Sequence, residues 1–385
     1  MMPNPTTSRP IRVALVTNIP APYRIPVLER LARQPGCDLR VIYCSSLEPD
    51  RAWQLPAGDF QSTCLRPRHL TLGGKYVHVN PDVWAALNQA AADVVITTGF
   101  NPTHLIAFAH ARLHGAAHVP MTDGTWTSEQ TLGAIHRVLR RWVYARSAAF
   151  IGASEGSMAL YRSYGLDSAR LFKSHLCANN EAFLAFPPVP KVHDLLVSGR
   201  IVAGKNPLFA LQVAERLAHR LDRVVRLAFL GSGEMEAQVR EAAARLPAEQ
   251  VRVDFLGFAQ QDALPGHYAR ARILLFPTAL DTWGVVANEA CAAGLPVLVT
   301  PEAGVAGDLV LDGINGRVMP LDAEAWARAC AELLGDDARW TQMSLAAREL
   351  VQACNFDAAA DGIWQAVRLA ARGSRKAPEI REARR

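Results

Sequence analysis

From Ile11 to the proline-rich stretch, and again from His193 onward, short apolar runs of strand character alternate with amphipathic helical segments. In the first half the runs are IRVALVT, LRVIYC, DVVITTG, VPMTDG and SAAFIGA; in the second they are HDLLVSG, VRLAFLG, RVDFLG, RILLFPT and LPVLVT. Strands buried on both faces and separated by helices predict parallel sheets with crossover helices, an α/β class. A chain of 385 residues, 50% of them hydrophobic, exceeds one ordinary core, so two domains are expected. FLAFPPVPKVHD, with Pro187, Pro188 and Pro190, interrupts regular structure between them. The resulting division is an N-terminal segment 1–10 without order, a domain 11–183, a linker 184–193, a domain 194–355, a helix 356–373 crossing back onto the first domain, and a charged tail 374–385.

Doubly wound sheets bind ligands beyond the carboxyl ends of their strands. Two such Rossmann-like domains are expected to face each other across a cleft that holds the site. The net charge of +5 permits anionic ligands or an anionic membrane surface, but no nucleic-acid-binding pattern accompanies it. Seven cysteines without paired spacing point to reduced thiols and a cytoplasmic protein. No window approaches eighteen uninterrupted apolar residues, and the start carries no secretory pattern, so a soluble protein that can still touch the inner membrane face is expected.

The densest chemistry lies in FPTALDTWGVVANEACAAGLPV, Phe276 to Val297, where Asp281 and Glu289 stand on either side of a strand-to-helix turn. VVANEACAA, Val285 to Ala293, is expected to be a helix closed by Gly294 and stopped by Pro296. Eight helical steps would separate the acids by about 12 Å, too far for one hydroxyl but suited to two ends of an extended ligand. The helix start between them offers free N–H groups and partial positive charge for a phosphate. A glycosidase acid–nucleophile pair fits poorly, since both carboxyls would have to face one bond about 5 to 9.5 Å apart.

Three other motifs compete. Gly199-x-x-x-x-Gly204-Lys205 is nearly a Walker A loop, but Asn206 replaces the magnesium-binding Ser or Thr and Pro207 follows. The alternative sets Arg200 and Lys205 as two cations on a diphosphate. Gly152-Ala-Ser154-Glu-Gly156 has the form of a nucleophile elbow, yet no histidine follows His267 and no oxyanion segment is visible. Ser154 then reads as a helix N-cap. His110, His114 and His118 recur every four residues, but Gly115 ends the helix before the third, and D-x-D is absent, so no metal is expected.

Taken in order, these residues resemble glycosyltransferase family four, retaining enzymes of the GT-B fold, over most of the chain. The paired acids appear as Asp281-x7-Glu289, the phosphate motif as Gly199, Arg200 and Lys205, and the following G-x-G as Gly231, Ser232 and Gly233. FLG at Phe255 to Gly257, Gly304-x3-Asp308-x7-Gly316 and the opening TNIPAPYRIPVLERL extend the correspondence. The resemblance implies transfer of a sugar from a nucleotide-diphosphate sugar to an acceptor hydroxyl of a sugar or lipid-linked sugar, without cofactor or metal, in bacterial-type polysaccharide or glycolipid synthesis.

By that resemblance Arg200 and Lys205 neutralise the diphosphate and Gly231 to Gly233 let backbone approach the nucleotide. Glu289 holds the ribose, Asp281 with the backbone of Trp283 and Gly284 addresses the sugar, and Phe258 borders the base. Pro22, Tyr23 and Arg24 fall on the acceptor side. Asp281 stands where Glu is usual, and MTDGTW places Asp123 where many members carry a histidine; Asp123 is either catalytic or a turn residue. A basic helix over 129–146, with Arg137, Arg140, Arg141 and Arg146 beside Trp142, could rest on anionic lipid. A nucleotide-sugar-binding protein without catalysis is the alternative on the same scaffold.

Overall fold

The structure, a computed structural model, describes residues 9–48, 58–72, 75–130 and 132–375. Of the expected unordered start and charged tail, residues 1–8 and 376–385 lie outside the described residues. The chain divides into two compact units, Met1–His175 with Phe356–Arg385 and Leu176–Asn355.

The first unit holds β1 (Ile11–Thr17), β2 (Cys37–Tyr43), β3 (Gln61–Cys64), β4 (His69–Leu72), β5 (Lys75–His78), β6 (Val94–Thr97), β7 (Ala117–Thr122), β8 (Phe150–Gly152) and β9 (Leu171–Lys173). Seven of these form one parallel sheet in the order β3-β2-β1-β6-β7-β8-β9, while β4 and β5 pair as an antiparallel hairpin. The register runs Val13 against Leu39 on one side and Val94 on the other. Strand order reverses between β1 and β6, which opens a crevice at their carboxyl ends.

The sheet is covered because both faces of its central strands are apolar. Ala14 and Val16 of β1, with Val95 of β6, pack against Val83, Leu87, Ala107 and Ala111 from the helices Val83–Ala90 and Pro102–His114. The helix Ile25–Ala32, started by Pro26 in its first turn, buries Ile25, Val27, Leu28 and Leu31. The helix Phe356–Arg375 lies against it and against β7 to β9. Arg30 pairs with Asp357 at 2.8 Å and stacks on the Phe356 ring.

The second unit holds β10 (His193–Ser198), β11 (Val225–Leu230), β12 (Val251–Gly257), β13 (Ala271–Phe276), β14 (Val297–Val299) and β15 (Gly316–Val318). They form a parallel sheet in the order β12-β11-β10-β13-β14-β15, with the reversal between β10 and β13. Leu195, Leu227, Phe229, Ile273 and Leu298 make the centre of its core with Leu217 and Trp326 from two covering helices. Residues 176–183, ahead of the prolines, belong to this unit: the amide of Asn180 donates to the carbonyls of Val351 and Cys354, and Phe183 meets Tyr268 edge-on.

Both sheets have the doubly wound parallel form expected from the alternation. The single basic helix expected over 129–146 is instead two, Trp126–Gln130 and Ala134–Tyr144. Gly133, extended at φ −66° and ψ 163°, stands at the N-cap of the second.

Candidate functional site

In the second unit three loops meet at the strand-order reversal. The first follows β10 and carries Gly199 to Asn206; the second follows β11 with Gly231 to Gly233; the third, Pro277 to Gly284, joins β13 to the helix Val285–Ala293. Backbone bonds lace them together. Gly199 N–H donates to the Leu230 carbonyl at 2.9 Å, Ile201 N–H to Ser232 at 2.9 Å, and Ala279 N–H to Gly204 at 2.9 Å.

The lacing explains the glycine pair. Gly231 has φ +139°, and a Cβ there would sit 2.0 Å from the Gly199 carbonyl oxygen; one on Gly233 would sit 2.3 Å from that of Ile201. Only glycine lets these turns approach each other so closely. Gly231 N–H also donates to the Gly257 carbonyl at 2.8 Å, which sets half-exposed Phe258 and exposed Ser232 beside the same turn.

Lys205 and Asp281, treated separately on the sequence, form an ion pair, and Lys205 Nζ also donates to Thr278 Oγ1 at 3.3 Å. About a quarter of each side chain is exposed, so a ligand can reach the pair. The other Asp281 oxygen accepts the N–H of Trp283 at 3.1 Å, which ties the turn into the helix that Gly284 starts at φ +109°. Trp283 is fully buried and Gly284 is buried beside it. Arg200 is exposed on the first loop.

Glu289 occupies the second turn of that helix and is 7% exposed. Tyr268 donates its hydroxyl to Glu289 Oε2 at 2.6 Å. Burial pushes the carboxyl up to about 7, with the tyrosine bond opposing. Protonation of Glu289 is therefore favoured in the folded state over a range where the unfolded chain has already ionised. Its contribution to stability is full below the unfolded value near 4.5 and is lost as pH rises through about 7. The Tm difference between wild type and Glu289→Gln should accordingly shift against wild type as pH rises from 4.5 to 8; a flat difference would refute the burial effect.

The departure from a Walker A loop at Asn206 has a local cause. Asn206 sits at φ +47° and donates its amide to the Pro277 carbonyl at 2.7 Å, so it is a loop tie and no metal ligand. The N-cap reading of Ser154 holds: fully buried, it caps the helix Glu155–Ser163, its Oγ accepting the Ser157 N–H at 3.2 Å. The histidines do not converge. His110 and His114 stack at 4.0 Å, with His110 bonded to Asn88, whereas buried His118 bonds to Thr97 and Ser147.

The first unit has its own crevice at the β1/β6 reversal, a cavity of about 210 Å³ lined among others by Thr17, Asn18, Tyr23, Arg24, Thr98 and Asp123. Pro22 is on the same loop but does not line it. Asp123 accepts from Arg24 Nη2 at 2.6 Å, which the sequence did not connect. Asp123 does not cap the following helix, where Thr125 and Ser128 bond each other instead. Arg24 Nη1 is buried without a hydrogen-bond partner. Of the expected catalytic set, Asp123 belongs to the first unit and Arg200, Lys205 and Asp281 to the second. Thr278, Tyr268 and the cavity residues Thr17, Asn18 and Thr98 were not singled out from sequence; a Thr directly after the FP that ends β13 is the only local signal among them.

Residues 10–172 match the family model described as glycosyl transferase 4-like domain, and residues 183–350 that of glycosyl transferases group 1. Between them the two matches take in most of the chain. Each half of the chain thus matches a glycosyltransferase family model, and the fold is of the GT-B type. Among solved structures, HepE from Anabaena in complex with UDP and glucose superposes with TM-score 0.67 at 15% identity, covering 92% of this chain and 98% of that one. A sucrose-phosphate synthase from Thermosynechococcus elongatus superposes with TM-score 0.69 at 17% identity, covering 94% and 98%. Both likenesses bear on the fold.

Among curated relatives, D-inositol 3-phosphate glycosyltransferase 1 of Catenulispora acidiphila is 32% identical over 199 residues, 48% of this chain and 47% of that protein. The D-inositol 3-phosphate glycosyltransferase of Xylanimonas cellulosilytica is 29% identical over 240 residues, 57% of this chain and 56% of that protein. The chain spans about half the length of these relatives. Among the described residues no helix is long and apolar enough to cross a membrane, and no group of three or more metal-ligating side chains is assembled.

Proposed function

We propose that the protein is a retaining glycosyltransferase of family four that moves a sugar from a nucleoside-diphosphate sugar to an acceptor hydroxyl. The observation that carries this reading is the Lys205–Asp281 pair, set between the close-packed glycine turns and the start of the helix Val285–Ala293. A diphosphate in that place meets Lys205, Arg200 and the free N–H groups of a helix start, which together stabilise the departing charge without a metal ion or other cofactor. Asp281 turns toward the sugar hydroxyls and Glu289, held by Tyr268, accepts from the ribose. Phe258 and Ser232 border the nucleoside. Solved neighbours in complex with UDP and UDP-glucose support a uridine donor.

The cavity of the first unit is the acceptor half-site in this reading. Arg24, locked by Asp123, offers Nη1 to an acceptor oxygen, and Asp123 has an acid's capacity to orient the attacking hydroxyl. A sugar or lipid-linked sugar in bacterial-type polysaccharide or glycolipid synthesis fits such a pocket, whose polar side chains stand beside apolar ones such as Leu15, Val27 and Met121. None of the seven cysteines is joined in a disulfide, which supports a reducing, cytoplasmic setting.

Incubation with UDP-, GDP- and ADP-sugars should release nucleotide from one of them, slowly without acceptor and faster with it. Binding without release from any donor would replace this reading with a non-catalytic nucleotide-sugar-binding protein. Arg24→Ala should raise the acceptor KM about tenfold or more, in line with loss of a charge-assisted hydrogen bond, and leave the donor KM unchanged. A donor KM that rises in parallel would remove Arg24 from the acceptor side.

A further inference from the structure

The helix Ala134–Tyr144 turns one face inward and leaves the opposite one uncovered. Val143 and Tyr144 are buried, and Tyr144 packs edge-on against Phe150 and Tyr161. Ile135, Val138 and Trp142, spaced at i, i+3 and i+7, form an apolar stripe on the far side, 83%, 67% and 47% exposed. Large side chains this exposed, three in a row on one helix, are costly in water unless something covers them.

Charge says what does. No Asp or Glu occurs between Glu129 and Glu155. Both bounding acids are occupied from within the unit: Glu129 is buried against Arg140 and Tyr164, and Glu155 pairs with Lys173 at 2.7 Å and Arg162 at 3.4 Å. Arg140 therefore contributes to the fold and not to the surface, a change from the sequence reading that grouped it with the other three. Arg137, Arg141 and Arg146 stay exposed along the stripe, and Arg146 lies over the Trp142 ring at 4.8 Å. An apolar ridge with a tryptophan at headgroup depth and guanidinium groups at its flanks has the composition of a helix lying in a membrane interface.

We infer that this helix docks the first unit on an anionic lipid surface, with Ile135, Val138 and Trp142 entering the acyl boundary and Arg137, Arg141 and Arg146 meeting phosphate headgroups. The inference is independent of the sugar-transfer reading, because it concerns a surface and no reacting group. An attached first unit would hold its cavity close to acceptors carried on lipid.

Co-sedimentation of the full chain with vesicles of phosphatidylcholine, alone or mixed with phosphatidylglycerol, tests it. Binding is expected to the anionic vesicles only and to weaken with added salt. Arg137→Glu with Arg141→Glu should weaken it about thirtyfold or more, from roughly 1 kcal/mol per basic residue near the surface. Ile135→Ser, Val138→Ser and Trp142→Ser together should abolish it. Trp142 also touches buried Phe108, so the charge-reversed variant, whose arginines are exposed, guards against a folding artefact. Equal binding to both vesicle types, or wild-type binding by the charge-reversed variant, would overturn the inference. So would a dimer in gel filtration that the serine variant dissolves, in a protein that ignores vesicles, since a second copy would then cover the stripe.

Discussion

Lys205→Ala is expected to lower sugar transfer by about 10²- to 10³-fold, the usual cost of removing one fixed charge that stabilises a departing anion. Two effects add in the same direction. The diphosphate loses a cation, and Asp281 loses its partner, so an uncompensated carboxylate is left where the donor's negative charge must settle. The double variant Lys205→Ala with Asp281→Asn separates them: donor affinity should recover in part while kcat stays low. Stability should hardly change, because both side chains are about a quarter exposed and such pairs contribute around 1 kcal/mol or less. Transfer rates with the best donor and a thermal melt of each variant provide the check. Full activity in Lys205→Ala would remove the lysine from the diphosphate and with it the central feature of the proposed mechanism.

Gly231→Ala is expected to damage both folding and donor binding. Its backbone at φ +139° is one that alanine resists at about 1–3 kcal/mol. The added methyl would also lie 2.0 Å from a carbonyl oxygen of Gly199, a backbone atom that cannot swing aside. Relief requires the Gly199 and Gly231 loops to part, which breaks the bonds that hold Gly199 to Leu230 and Ile201 to Ser232. Urea denaturation should show the loss of stability, and nucleotide titration a loss of affinity of about tenfold or more, since misplacing a preorganised phosphate cradle by an ångström costs on that order. Gly204→Ala is the control. A Cβ there meets nothing within 4 Å, so the variant should keep its stability and its affinity. A phosphate-cradling loop of the Walker type would lose binding in Gly204→Ala, and that result would reopen the NTPase reading.

Strand β1 and the helix Val285–Ala293 begin and end where the sequence places them, because each is a long run with one period and clear stops. β3 was invisible: its residues Gln61 to Cys64 are all exposed at the sheet edge, so no apolar pattern marks them. β9 and β15, three residues each, are too short for any periodicity. The two helices within 126–144 read as one in sequence because basic and apolar residues run on past Gly133, the N-cap of the second.

The order of motifs at strand ends, and hence the pair of doubly wound sheets and the loops that carry the site, was determined by the sequence alone. These features depend on local periodicity and turn chemistry, which neighbouring residues encode. The pairing of Lys205 with Asp281, of Arg24 with Asp123 and of Glu289 with Tyr268 was decided by the tertiary structure, as was the division of the Asp281–Glu289 motif into one partly exposed and one buried acid. Each of those facts joins positions far apart in the chain. Lys205 and Asp281 meet only once β10 and β13 lie side by side, so that the loops after these non-consecutive strands become neighbours; Arg24 and Asp123 meet at the strand ends of β1 and β7, across β6, and Tyr268 and Glu289 between the helices on either side of β13.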